Sequence, residues 1–400
     1  MTAKNNIPAG YKESAVGIIP QEWEIATLGK LVSITSGENP SLFNLREIGK
    51  YPYIKVEDMN NCEKYQLLSR EYTDDERCAI QKGSIIFPKR GAAITNNKVR
   101  IAACPVYMDS NMMAITPNDL VCGDYLYFKI TYEQLFKIAD TSTIPQINNK
   151  HIIPYKICLP PMEEQRKIAE ILGVWDEAIE KQSRLIEKLE LRKRALMQRL
   201  LTGRTRLLGF TTPWQKVKLG EIFKERNETK CEHLPLLSIT AERGVILQSE
   251  SDKKDTSNDD KSKYKRICPN DIGYNTMRMW QGRSALSAME GIVSPAYTIV
   301  MPKVGIDPLF ISELIKQPRV VYDFWTHSQG LVGDTLNCKF HDFSQVKVAI
   351  PSLPEQKAIA EVLTTADDEI ATHHKKLSAL RHQKRGLMQQ LLTGKTRVKI

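Results

Sequence analysis

The sequence predicts an α+β chain: two similar mixed α/β domains separated by two long antiparallel coiled-coil helices, with pseudo-twofold symmetry. Three observations predict it. The segment from Pro160 to Arg206 recurs without a gap from Pro351 to Arg397, at a constant offset of 191 positions, as from Gln165 to Gln356. The same offset carries Trp23, Leu28 and Gly29 onto Trp214, Leu219 and Gly220. The repeated unit is therefore a whole domain plus a helix, far longer than the units of solenoids or propellers. The recurring segment also has the alternating four- and three-residue apolar spacing of a coiled-coil seam.

These boundaries give a first domain over 1–158, a first helix over 159–204, a second domain over 205–349 and a second helix over 350–400. In the first domain, Ser84–Phe87 and Val99–Ala103 read as strands and Asp124–Ala139 as a helix. Tyr155, Ile157 and Leu159 then alternate as a half-buried strand entering the long helix. The second domain repeats this with strands at Asp271–Tyr274 and Tyr297–Met301, a helix over Leu309–Trp325, and the alternating Val346, Val348 and Ile350. The polar run 249–263 reads as an exposed loop.

The first seam comprises Ile168, Leu172, Trp175, Ile179, Gln182, Ile186, Leu189, Lys193, Leu196 and Leu200. The second comprises Ile359, Leu363, Ala366, Ile370, His373, Leu377, Leu380, Lys384, Leu387 and Leu391. Pro161 and Pro354 with Glu163, Glu164 and Glu355 suit helix starts, and Gly203 and Gly394 suit left-handed ends. A helix of about 40 residues is roughly 60 Å long and cannot pack inside its own domain, so it needs a partner. Antiparallel return of the second helix along the first is the simplest solution, and it brings the two chain ends together. The polar seam residues Gln182, His373, Lys193 and Lys384 either reach solvent at the seam edge or meet polar groups of another protein. From Ile370 onward there is no acid, so this basic run is either solvated or a contact for DNA or another subunit.

Composition narrows the function. With 400 residues and 42% hydrophobic content, two ordinary cores fit. A formal charge of +10 favours an acidic partner, nucleic acid before membrane. No apolar run reaches the ~18 residues a membrane span needs, and the start Met1-Thr-Ala-Lys lacks an export signal, so a cytoplasmic address is expected. The eight cysteines are scattered without C-x-x-C spacing and the seven histidines lie apart from them, which predicts reduced thiols and no metal site.

Catalytic motifs are missing. Gly394-Lys395-Thr396 imitates the end of a phosphate-binding loop, but Gln389 stands where its first glycine should be and a helix precedes it. Glu355-Gln356-Lys357 with Asp342 imitates a nuclease set, yet helix capping accounts better for the glutamate. Asn39-Pro40-Ser41-Leu42 lacks the second proline of an amino-methyltransferase signature. The expectation is a chain that catalyses nothing alone and binds no cofactor.

Residue types suited to DNA cluster between predicted strands: Arg and Lys for guanine edges and phosphates, Asn and Gln for adenine edges. In the first half they are Lys89, Arg90, Asn96, Asn97, Lys98, Arg100, Gln146, Asn148, Asn149 and Lys150. In the second they are Arg243, Asn275, Arg278, Trp280, Gln281, Arg283 and Lys339. Two unlike domains on a stiff spacer would read an asymmetric, bipartite site on successive major-groove faces, about 34 Å apart per DNA turn, with the spacer setting the unread gap.

At full length the chain resembles the specificity subunits of type I restriction-modification systems. The resemblance is carried by Ile19-Pro20-Gln21-Glu22-Trp23 with Leu28-Gly29, and by Leu159-Pro160-Pro161 with Glu164-Gln165. It is carried further by Asp271 through Gly282, by Gly291 through Tyr297, and by Ile350-Pro351-Ser352-Leu353-Pro354-Glu355-Gln356. It implies two target-recognition domains that read double-stranded DNA, and helical regions that bind two modification (methyltransferase) subunits and help assemble restriction (translocase/nuclease) subunits. S-adenosylmethionine, ATP and Mg would then act on those partners, with no membrane involved. One departure is that Phe87-Pro88-Lys89-Arg90-Gly91 stands where the second half has Asn275 to Gln281. The alternatives are a coiled-coil interaction scaffold without DNA recognition, or a nuclease or methyltransferase in its own right.

Overall fold

The structure, a computed structural model, describes residues 7–77, 79–142, 144–240, 243–251, 258–330 and 336–400. It divides into two compact units, Met1–Arg184 with Lys375–Ile400, and Leu185–His374, so the division falls within both long helices.

The first unit is built on a five-stranded sheet in the order Val32–Ser36, Met112–Pro117, Ile85–Pro88, Arg100–Ala102, Tyr65–Gln66. The last pairing is parallel and the others antiparallel. Its apolar face meets the helix Gly123–Glu133, burying Phe87, Ile115, Tyr125 and Phe128 in one cluster with Trp23, Ile168, Leu172 and Leu391. A three-stranded sheet, Tyr107–Met108, Tyr51–Ile54, Glu71–Thr73, completes the unit.

The second unit repeats the frame with four strands in the order Phe223–Arg226, Tyr297–Pro302, Ile272–Asn275, Ser284–Leu286. Register is repeated too. Val32 faces Pro117 as Phe223 faces Pro302. The strand entering each long helix pairs antiparallel with an early strand: Lys156–Leu159 with Glu24–Thr27, and Lys347–Ile350 with Gln215–Lys218. The repeated Leu-Gly has a packing cause. A Cβ on Gly29 would stand 2.9 Å from Ile153 Cγ2, and one on Gly220 would stand 2.9 Å from Ser344 Cβ.

The four expected inner strands form within a residue or two of their predicted bounds. Both expected helices are broken. Asp124–Ala139 is two helices, Gly123–Glu133 and Leu135–Ile138, separated by Gln134 at φ 68°. Asn97 secures the break, accepting from Leu135 N–H at 2.9 Å and donating to Thr131 O at 2.8 Å. Leu309–Trp325 is also two helices, Pro308–Leu314 and Pro318–His327. Pro318 forces the residue before it, Gln317, to an extended ψ of 139°. Within the expected loop 249–263, positions 252–257 lie outside the described residues, and 258–260 are exposed.

The long helices run Met162–Leu200 and Leu353–Leu391, 39 residues each and in register with the repeat. Gly203 and Gly394 are left-handed, at φ 68° and 73°. Every apolar seam residue is buried or half-buried. Ile168, Leu172, Ile179, Ile186, Leu189, Leu200, Ile359, Leu363, Leu377 and Leu391 are buried, and Trp175, Leu196, Ile370, Leu380 and Leu387 half-buried.

Within each unit the helix segments run antiparallel. In the second, Glu190 meets His374, Arg192 meets Glu369 and Lys193 meets Asp367, so one series rises as the other falls. In the first, Glu164 meets Arg397 and Asp176 meets Lys384. Asp176 and Asp367 are repeat mates, as are Lys193 and Lys384, so one ion pair is made twice. This corrects the expectation for the seam lysines: they neither simply reach solvent nor require another protein, because each meets an aspartate on the opposite helix.

Candidate nucleic-acid interface

Each unit begins its candidate site where a central strand ends. In the first, Ile85–Pro88 runs out into Lys89-Arg90-Gly91, and Gly91 takes φ 79° to turn the chain into the short helix Ala92–Thr95. This loop pairs with a second segment: Ile147 N–H donates to Lys89 O and Gly91 N–H to Pro145 O, both at 2.9 Å. The second segment is closed on itself by the bridge between Asp140 and Gln146.

The second unit has the same construction. Ile272–Asn275 runs out into residues 276–283, with a tight turn over Met279–Gln281. Cys338 N–H donates to Thr276 O at 2.9 Å, and Gln329 bridges Asn337. Cys338 is the repeat mate of Ile147, and Thr276 holds the place of Lys89. The departure between the halves is thus a change of side chains on one backbone plan. Behind the loop, Phe343 stacks on Tyr274 at 5.1 Å and on Phe324 at 5.3 Å, anchoring its root.

The geometry sorts the predicted residues. Lys89, Arg90 and Gln146 come together, with Arg90 and the nearby Asn96 exposed and Lys89 and Gln146 half-buried. Burial, and then the charge of Arg90, hold the Lys89 ammonium below its ordinary pKa. Asn149 and Lys150 are exposed at the start of Asn149–Ile152, and Asn148 N–H donates to His151 Nδ1 at 3.1 Å.

Three first-unit residues are committed to the frame instead. Asn97 holds the helix break through both ends of its amide. The Arg100 guanidinium donates to the carbonyls of Cys62, Val99 and Met59 at 2.8 to 2.9 Å. Lys98 Nζ donates to Asn60 Oδ1 at 2.7 Å. Their residue types suit DNA, but local backbone groups and the Asn60 side chain engage them first.

In the second unit Arg278, Gln281 and Arg283 are exposed on the loop, and Lys339 is exposed one residue after Cys338. Asn275 Oδ1 accepts from Met277 N–H at 3.0 Å and Trp280 Nε1 donates to Met277 O at 3.0 Å, so both shape the loop. Arg243 stands apart at the tip of the hairpin Leu237–Thr240/Gly244–Leu247, donating to Glu250 O at 2.8 Å.

The repeated Glu-Gln pair has a different role from helix capping. Glu164 is fully buried, accepting from Arg397 at 2.7 and 2.9 Å and from Trp23 Nε1 at 2.9 Å. In the second unit Glu355 accepts from Arg206, the repeat mate of Arg397, at 2.5 and 2.7 Å. Gln165 accepts from Cys122 N–H and Gln356 from Asp307 N–H, tying each helix start to its own sheet-and-helix layer. The start of one long helix is thereby clamped to the end of the other inside each unit. Asp342, the other half of the nuclease-like set, accepts from Gln329 Nε2 and Lys339 N–H.

The first unit adds a lock that has no signal in the repeat. Lys129, buried, donates to Leu392 O at 3.1 Å and pairs with Glu133 at 2.9 Å. Burial alone would depress its ammonium, but Cys158 and Glu133 outweigh that and its pKa is raised. Tyr11 Oη also donates to Gly394 O at 2.9 Å, so the segment at Tyr11 meets the one that follows the second long helix. The seven described cysteines are free, Cys78 lying outside the described residues. Among the described residues no helix is long and apolar enough to cross a membrane.

Two strand-end loops of one plan but different side chains, each on a unit closed by two helices, define a duplicated recognition subunit. Residues 20–191 and 314–382 match the family described as "Type I restriction modification DNA specificity domain". The chain is 25% identical over 433 residues to the type I restriction enzyme MjaVIII specificity subunit of Methanocaldococcus jannaschii, covering 97% of this chain and 96% of that one. Its fold is similar to a crystal structure of a type I restriction-modification S subunit from M. genitalium, with TM-score 0.56, 16% identity, and 98% of each chain covered. A chain from a structure of type I restriction-modification assembly matches with TM-score 0.60 at 16% identity, over 94% of this chain and 99% of that one. The chain belongs to the type I restriction-modification DNA specificity family, and its role is DNA-sequence specificity within that complex.

Proposed function

We propose that the chain reads a bipartite, asymmetric site on double-stranded DNA, one tract per unit, and itself performs no catalysis. The observation that carries this reading is the pair of strand-end loops: one backbone plan presents Lys89, Arg90 and Gln146 in one unit and Arg278, Gln281 and Arg283 in the other. A shared plan with unlike side chains suits two readers of unlike sequence, since base identity is read by side-chain donors and acceptors in the groove. The formal charge of +10 suits phosphate contact.

On this reading the two long helices set the unread gap and hold two modification subunits, and restriction subunits join the same assembly. S-adenosylmethionine serves adenine methylation on the modification subunits, and ATP with Mg serves translocation and cleavage on the restriction subunits, all in the cytoplasm. The test is salt-dependent binding of the assembled complex to duplexes altered one base pair at a time. Two sensitive tracts flanking an insensitive gap are expected, with affinity falling steeply as salt rises. Sensitivity confined to one continuous run would overturn the reading.

A further inference from the structure

Beside each candidate reading loop lies a helix with exposed aromatic rings that the loop residues do not explain. In the first unit, Asn97 fixes the start of Leu135–Ile138 against the end of the loop. Leu135 and Ile138 are buried, while Phe136 between them is 47% exposed next to the exposed Lys137. In the second unit, Pro318–His327 lies against the turn Met279–Gln281, where Val321 Cγ2 stands only 3.1 Å from the place of a Cβ on Gly282. Val320 and Phe324 face the core, but Tyr322 and Trp325 are 55% and 47% exposed, their ring centroids 5.6 Å apart.

The two helices differ in length and sequence, yet both put aromatic faces into solvent next to the same structural loop. Isolated apolar side chains on a surface need no explanation, but exposed aromatic rings beside the basic loop in both units do. Exposed cations stand on the same elements in both units: Lys137 on the helix and Arg90 on the loop in the first, and Arg319 on the helix with Arg278 and Arg283 on the loop in the second, Arg319 being partly answered by Asp323 at 3.6 Å. Rings among cations match nucleic acid, whose bases offer π-faces and whose phosphates offer negative charge.

We propose that Phe136 and the Tyr322–Trp325 pair are base-stacking probes that insert at a base-pair step bordering each read tract. This rests on the DNA-reading function proposed above and adds residues whose contribution is stacking rather than hydrogen-bond readout. Since every base has a π-face, they add affinity with little sequence preference, and insertion unstacks the local step.

The test uses the assembled complex and a duplex carrying its methylated sequence, with 2-aminopurine placed at each tract border. Wild type should raise 2-aminopurine fluorescence at a border step. The double variant Tyr322→Leu/Trp325→Leu should lose that rise and bind about tenfold more weakly, with the preference among sequences unchanged. Trp325→Phe, which keeps a π-face, should bind within about twofold of wild type. Melting of the free chain checks that the variants fold, and Phe136→Leu repeats the experiment in the other unit. Unchanged affinity and unchanged fluorescence in folded variants would overturn the proposal. So would normal DNA binding with lost subunit assembly, which would make these rings a protein contact. If the wild-type complex shows no sequence preference at all, the DNA-reading function itself fails, an outcome distinct from either.

Discussion

Replacing Arg397 by alanine isolates the contact that closes the first unit. Glu164 is fully buried and takes two of its three hydrogen bonds from Arg397, the third coming from Trp23. Removing one partner of a buried ion pair costs roughly 3–5 kcal/mol because the remaining charge is left uncompensated. The Arg397 side chain is 33% exposed, so water screens part of the pair and the expected loss falls to about 2–3 kcal/mol. In a unit of this size each kcal/mol lowers the melting temperature by roughly 2–4 °C, which gives a drop of about 4–12 °C. The assay is thermal unfolding of the full chain followed by hydrogen exchange, which resolves the two units. The first should lose protection while the second, whose Arg206–Glu355 clamp is untouched, keeps it. Arg397→Lys should recover only part of the loss, since an ammonium cannot reproduce the two-pronged contact. A variant melting within about 1 °C of wild type, with exchange unchanged, would refute the role given to the clamp.

Lys193→Glu sets like charges together against Asp367 and should destabilise the second unit by about 0.5–1 kcal/mol, the pair being partly exposed. Adding Asp367→Lys should restore stability, and a double-mutant cycle with no coupling would contradict the pairing. Arg278→Ala or Gln281→Ala should cost ~1–3 kcal/mol of discrimination at one tract with subunit assembly intact; equal weakening on all duplexes would make them phosphate contacts. Burial pushes the Cys338 thiol up to about 12. At pH 8.5 it should therefore resist iodoacetamide in the folded chain and react on unfolding, and rapid labelling of the folded chain would contradict its burial.

The long helices were legible because a gapless repeat and a seam period agree: they begin at 162 and 353, three residues inside the expected 159 and 350, but end at 200 and 391, short of the expected 204 and 400. The inner strands were legible from alternation. What failed were features set by distant partners. The break at Gln134 is held by Asn97, far away in sequence, so local periodicity ran straight through it. The break at Pro318 was visible in principle, and the apolar pattern on both sides concealed it. The seam lysines and their aspartates both stand in the repeated segment, but pairing Asp176 with Lys384 requires the antiparallel register.

For the candidate site, residue types mark both strand-end loops in the sequence but do not sort their side chains. Asn97 and Arg100 have the composition of base readers, and only the positions of nearby carbonyls show them turned inward. The Glu164–Arg397 clamp had a signal that was available: the repeated segment begins just before the glutamate and ends on the arginine. The aromatic rings at Phe136, Tyr322 and Trp325 had no such signal, because an aromatic in a helical pattern reads as core.

The central claim is that one chain carries two unlike DNA readers. Mapping methylated adenines across the genome, with and without this gene, tests it most directly. The account predicts a single asymmetric motif of two defined tracts around a gap of fixed length, lost when the gene is removed. Methylation at one continuous or palindromic motif, or a pattern unchanged by the deletion, would contradict it.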